Sequence, residues 1–165
     1  MRNHPMRFIV PVAAALFVLS ACVPPDPLPP GTNPSPGMRC PVTGSISFSN
    51  DWHAPRGSSF HEGNDIFAAY GRPNVAAVAG TIDQRWGSRQ GNAIWLHGDD
   101  GKLYFYAHLA SWVGPDNRRV KPGEVIGYTG NTGDASGGAH HTHFEIRLDW
   151  DRIVNPYPAL TAACG

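Results

Sequence analysis

The stretch His141-Thr142-His143-Phe144-Glu145-Ile146-Arg147 decides how this chain reads. Its β-branched and aromatic residues favour a strand. A period of two then sets His141, His143 and Glu145 on one face, with His140 and Thr142 on the other. Working outward, runs of the same character recur at Ser45–Phe48, Val75–Ala79, Thr81–Arg85, Ala93–His97, Leu103–His108 and Val125–Thr129, and the quoted run extends to Leu148. Within Leu103–His108 the same alternation sets Tyr104, Tyr106 and His108 on one face. Gly98-Asp99-Asp100-Gly101 reads as a hairpin loop and Lys121-Pro122-Gly123-Glu124 as a second turn. No segment keeps a 3.6-residue apolar period over three turns, so few or no long helices are expected. Many short strands at regular spacing predict an all-β domain, a mostly antiparallel sandwich or barrel-like sheet.

Five of the eight histidines fall in or beside three islands, His61-Glu62-Gly63-Asn64-Asp65, Tyr106-Ala107-His108 and His141-Thr142-His143. Imidazole nitrogen and carboxylate oxygen are the donors of a catalytic zinc site, where three protein ligands leave a fourth position for water. Each island alone leaves alternatives. A His-x-His pair on one strand face can send both rings to one ion, or supply one ligand and one acid–base group. His61 and Asp65, four apart, can share an ion or simply hydrogen-bond to each other. An aromatic stripe ending in His108 can line a core as well as a cleft.

Taken together and in order, His-x-Gly-x-Asp, Tyr-x-His-Leu and His-x-His-Phe-Glu resemble the lysostaphin/LytM-type zinc metallopeptidases, a family of bacterial peptidoglycan endopeptidases. The resemblance runs from about Ile46 to Leu160. It includes Gly63 to Ala69 followed by Val75 to Thr81, then Val120 to Gly127 with Thr129-Gly130-Asn131-Thr132-Gly133, and the closing Val154-Asn155-Pro156. It implies a compact, mostly antiparallel β fold with an open groove that carries one Zn²⁺. It makes His61, Asp65 and His143 the metal ligands and His108 and His141 the catalytic histidines beside them, without assigning the general base. His140 stands where the family commonly has proline and Thr142 where leucine is usual. Relatives that have lost ligands act as non-catalytic regulators of other wall hydrolases, the alternative function. Here all five positions are filled, which favours the peptidase.

Lys and Arg together number 13, as do Asp and Glu, so no basic surface argues for nucleic acid as a partner. Arg2 and Arg7 precede a nearly continuous apolar run, Phe8 to Leu19, too short to span a bilayer comfortably. Leu19-Ser20-Ala21-Cys22 follows and resembles the lipobox of bacterial lipoproteins. The expected organisation is therefore a signal peptide over 1–21, a lipidated Cys22 with a proline-rich tether over 22–37, and the metallopeptidase domain over 38–165. Seven prolines fall between Val23 and Gly37. An extended chain of that composition reaches roughly 45 Å at about 3.1 Å per residue. The protein is expected to be exported and lipid-anchored to the cell envelope, with peptidoglycan as its partner. With Cys22 acylated, Cys40 and Cys164 remain, and an even pair in an exported chain predicts a disulfide.

Overall fold

The computed structural model describes residues 37–165, so the expected leader and all but the last residue of the tether lie outside the described residues. Twelve strands follow one another: β1 (Ile46–Ser47), β2 (Pro55–Arg56), β3 (Ser59–Phe60), β4 (Asn64–Ala68), β5 (Pro73–Val75), β6 (Gly80–Gly87), β7 (Gly91–Gly98), β8 (Leu103–Trp112), β9 (Arg119–Val120), β10 (Val125–Thr129), β11 (His141–Arg147) and β12 (Ile153–Val154). A 3-10 turn occupies Gly133–Ala135, and a helix, α1 (Tyr157–Cys164), closes the chain. Ten strands join one sheet in the order β1-β4-β11-β8-β7-β6-β9, with β10 bridging β5 and β8 and β12 beside β11. Every pairing is antiparallel, as expected from the run of short strands. β2 and β3 form a separate hairpin.

Strand alternation sorts the side chains into two faces. Ile66, Ile94, Leu96, Tyr104, Tyr106, Phe144 and Ile146 point to one side and join Met38, Val42, Ile126, Ala159 and Leu160 in the main core. Full burial of each large apolar side chain contributes about 1.5–3 kcal/mol. The Tyr106 hydroxyl is satisfied inside this core, donating to the Val75 carbonyl at 3.1 Å and accepting from the Ala77 amide at 2.9 Å. Ala93, Phe105 and Ala107, with Trp95 against them, occupy the opposite face. The helix buries Ala159 and Leu160 and delivers Cys164 to Cys40, where the expected disulfide is present.

One strand assignment from sequence needs correction, and one strand lies outside the runs read from periodicity. β5 ends at Val75, and Ala76–Ala79 is a bend with Ala76, Ala77 and Val78 buried rather than a strand. Its apolar content reflects burial, and its backbone bonds go to connecting segments: the Ala76 amide to Glu124, and the Ala76 and Ala77 carbonyls from Gly123 and Arg39. Conversely, Asn64–Ala68 is a strand in the middle of the sheet. Glycine and asparagine at its start disguise it, but Asn64 is fully buried and its amide donates to the Ser49 carbonyl at 2.7 Å.

Candidate metal centre and groove

β4, β11 and β8 lie side by side, and their register sets the site. His143 pairs with Asp65 on one side and Ala107 on the other, and His141 pairs with Phe67. One step further along, Glu145 faces Phe105, which in turn faces Trp95 on β7. The result is an open groove of about 330 Å³ with His61, Asp65 and His143 grouped together and Trp95 and Phe105 in its lining. Alternation therefore placed His141, His143 and Glu145 on one face, and Thr142 on the other. There the Thr142 hydroxyl is buried, donating to Asn74 Oδ1 at 2.9 Å and lying 3.2 Å from the Thr129 hydroxyl.

His108 also lines the groove, by a route that alternation misses. Tyr104 and Tyr106 are core residues, so strict alternation would bury His108 among them. The structure instead puts both Ala107 and His108 on the groove side and returns Leu109 to the core. β7 supplies one residue, Ala93, opposite the two, which is a β-bulge. His108 takes up the extra length with a φ of 62°, in the left-handed region that costs a side-chain-bearing residue about 1–2 kcal/mol. The Gln90 carbonyl accepts its amide at 2.9 Å and holds the bulge. The expectation that His108 shares a face with Tyr104 and Tyr106 is thus corrected.

The polar partners fix the imidazole tautomers. His61 Nδ1 lies 3.0 Å from the Asp51 carbonyl, which can only accept, so Nδ1 carries the proton and Nε2 presents its lone pair inward. His143 Nε2 donates to Glu145 Oε1 at 2.9 Å, which leaves Nδ1 facing inward. His61 Nε2 and His143 Nδ1 are then 2.9 Å apart, and each lies 3.1 Å from Asp65 Oδ1. Three acceptors at such distances repel one another unless a cation lies among them. A tetrahedral ion with bonds of about 2 Å sets its ligand atoms roughly 3.3 Å apart, so this donor set fits a metal. Gly63 permits the packing: a Cβ there would lie 2.5 Å from the Phe144 carbonyl and 2.8 Å from the His143 ring.

Charge around the donors is closely paired. Arg56 Nη2 donates to Asp65 Oδ2 at 2.6 Å, turning the other carboxylate oxygen toward the histidines. Glu145 Oε2 accepts from Arg147 Nε at 2.7 Å, and Arg147 also reaches Glu62 at 3.4 Å. Burial pushes the Asp65 carboxyl up, but its contacts with the His143 and His61 rings and the Arg56 guanidinium outweigh it and hold the group well below the usual carboxylate range. Burial pulls the His143 imidazole down, and its hydrogen bonds to Asp65 and Glu145 prevail, raising it to about 9 when no metal competes.

His108 and His141 stand beside this cluster with ring centroids 5.0 Å apart. His108 Nδ1 donates to the Thr132 carbonyl and His141 Nδ1 to the Ala139 carbonyl, each at 2.9 Å, so both Nε2 atoms are free to accept. His141 Nε2 lies 3.8 Å from Asp65 Oδ1. Burial pushes His108 below the usual histidine value, with the Thr132 bond opposing it, so the ring is held neutral. All five residues singled out from the sequence meet here. Asp51, Arg56, Thr132 and Arg147 were missed. Arg147 follows Glu145 on an alternating face and was within reach of that argument; Arg56, on a two-residue strand, gives no sequence signal.

The chain is 29% identical over 138 residues to the L-Ala–D-Glu endopeptidase of Bacillus subtilis, covering 74% of this chain and 42% of that protein. It is 30% identical over 119 residues to the peptidoglycan DD-endopeptidase ShyC of Vibrio cholerae, covering 72% of this chain and 24% of the relative. The chain thus spans less than half the length of these relatives. Among solved structures, the catalytic domain of the antimicrobial peptidase lysostaphin from Staphylococcus simulans superposes with a TM-score of 0.64 at 29% identity, covering 70% of this chain and 92% of that one. Residues 59–156, from the strand before His61 to the proline before α1, match Peptidase family M23, and with more than half its length inside that match the chain belongs to this family of metallopeptidases.

Proposed function

We propose that this domain is a zinc-dependent endopeptidase that hydrolyses peptide bonds of bacterial peptidoglycan, with His61, Asp65 and His143 as the ligands of one Zn²⁺. The convergence of two imidazole nitrogens and a carboxylate oxygen, 2.9–3.1 Å from one another and at the spacing of ligands round one ion, carries the reading. When bound, zinc polarises the scissile carbonyl and acidifies water at its open position. His108 and His141 handle protons. Each ring is oriented by a backbone carbonyl at Nδ1 and offers Nε2 as the accepting atom, and either can return the proton to the leaving amine. The lowered basicity of His108 keeps it in the accepting form near neutral pH. Asp134 Oδ1, 3.8 Å from His108 Nε2, steadies that ring once it is charged.

The full chain in this proposal is a lipoprotein: a signal peptide over 1–21, acylated Cys22, a tether to residue 37, and the catalytic domain over 38–165, working in the cell envelope. Among the described residues no helix is long and apolar enough to cross a membrane, and anchoring rests on the lipobox reading alone. The test is a gel containing purified cell walls, followed by mass analysis of the released fragments. Clearing that a chelator abolishes and Zn²⁺ restores, with new peptide termini in the products, is the expected result. One equivalent of bound zinc without cleavage of any wall tested overturns the proposal.

A further inference from the structure

The geometry points to Arg89 as a carboxylate subsite on the His108 side of the groove, selecting a substrate peptide that carries a free carboxylate near the bond to be cut. This inference rests on the hydrolase reading and names the class of peptide it prefers. It begins from the pairing of charges in the groove. Asp65 is held by Arg56, and Arg147 serves both Glu145 and Glu62. Asp134 turns its carboxylate toward His108 Nε2. Arg89 lines the same groove, yet among the described residues its guanidinium makes no ion pair and no hydrogen bond. Arg89 is exposed where it lines the groove, so its side chain can meet a ligand there without giving up another partner.

The backbone beneath Arg89 is fixed against the catalytic wall. The Arg89 carbonyl accepts from the Asp134 amide at 3.0 Å, and the next carbonyl, Gln90, accepts from His108 at 2.9 Å. Thr132 Oγ1 accepts from the Asn92 amide at 3.0 Å and donates to the Leu109 carbonyl at 2.8 Å. Gly91 and Gly133 bring the two segments so close that a Cβ on Gly133 would lie 2.3 Å from the Gly91 nitrogen. The turn after β6 is thereby locked to the strand that carries His108. A substrate need only order the Arg89 side chain, not the loop beneath it, which lowers the entropic cost of the contact. A planar guanidinium with all its N–H groups uncommitted suits a carboxylate, which can take two of them at once.

The experiment uses two synthetic cross-linked stem peptides, identical except that their acidic side chains are free in one and amidated in the other. The zinc-loaded protein is expected to prefer the free form about tenfold in kcat/KM, chiefly through KM, as suits a charge-assisted hydrogen bond at a partly solvated site. In Arg89→Gln, with zinc stoichiometry and melting temperature matching the parent, that ratio falls to near one; Arg89→Lys is intermediate. Raising the salt compresses the parent's preference, because an exposed pair is screened. A parent that cleaves both peptides equally, or a ratio that survives Arg89→Gln, overturns the subsite and leaves the hydrolase reading standing. No cleavage of either peptide by zinc-loaded protein overturns the hydrolase reading and the subsite with it.

Discussion

In the proposed zinc site the metal and a proton compete for one place, and the competition sets a measurable pH dependence. In the metal-free protein a proton bridges His143 Nδ1 and Asp65 Oδ1, and the His143 value of about 9 means that it stays bound at neutral pH. At about pH 7 only about one molecule in a hundred is free of it, so apparent zinc affinity is weakened on the order of 100-fold relative to a fully deprotonated site. Affinity should rise close to tenfold for each unit of pH between about 6.5 and 8.5. Calorimetry in buffers of differing ionisation enthalpy should find about one proton released per zinc near pH 7, and fewer as the pH approaches 9. The same group gives a stability signature of known sign. Its folded value lies above the unfolded histidine value of 6.5, so its contribution to the metal-free protein is fully present below that pH and lost as pH rises through about 9. Asp65 contributes in the opposite sense, through a depressed value whose effect is lost only on acidification far below this window. The melting-temperature gain on adding zinc should therefore widen from about pH 6.5 to 9. A zinc affinity that changes less than about twofold over that range, or no proton release near pH 7, would refute the bridging-proton picture.

Other consequences can be checked with single variants. Alanine at His61, Asp65 or His143 should remove zinc and wall hydrolysis together by metal analysis and gel assay, whereas His108→Ala and His141→Ala should retain zinc and lose about 10²–10⁴-fold in turnover. Gly63→Ala, which drives a methyl group into the Phe144 carbonyl and the His143 ring, should weaken zinc binding by about 10–100-fold in a chelator competition. His108→Gly should be more stable than His108→Ala by about 1 kcal/mol in urea unfolding, the reverse of the usual strand order, because glycine alone relieves the left-handed backbone. Reducing the Cys40–Cys164 bond, which spans 124 residues of sequence, should cost about 5 kcal/mol in the chain-entropy account, measured as a fall in the denaturation midpoint.

The periodicity of β11 was legible because that strand runs straight between β4 and β8, both paired in register, so its pleat is undisturbed. Side-chain chemistry and the motif order then identified five residues that the structure brings to one groove. β8 resisted the same reading at one point. Nothing in Tyr106-Ala107-His108-Leu109 announces a bulge: histidine enters left-handed backbone more readily than most residues, but too seldom for its presence to mark one; the shift is imposed by β7 and by the Gln90 carbonyl. Arg56 and Asp51 were invisible for a different reason. They act through folded proximity, one on Asp65 and one on His61, from a stretch whose own pattern marks neither strand nor helix.

The separate hairpin of β2 and β3 gives the groove a mechanical asymmetry. The wall bearing His108 is cross-linked by backbone bonds from Arg89, Gln90 and Thr132, whereas the hairpin pairs with no strand of the large sheet among the described residues. Two backbone bonds between His53–Ala54 and His61 extend the hairpin as far as that ligand position, and its ion pair to the cluster is Arg56–Asp65. One side of the groove is therefore stiff and the other compliant. Under the proposed function, a cross-linked substrate would enter by deflecting the compliant side while His108 and His141 keep their positions. Breaking the Arg56–Asp65 pair is the step that frees this side to move.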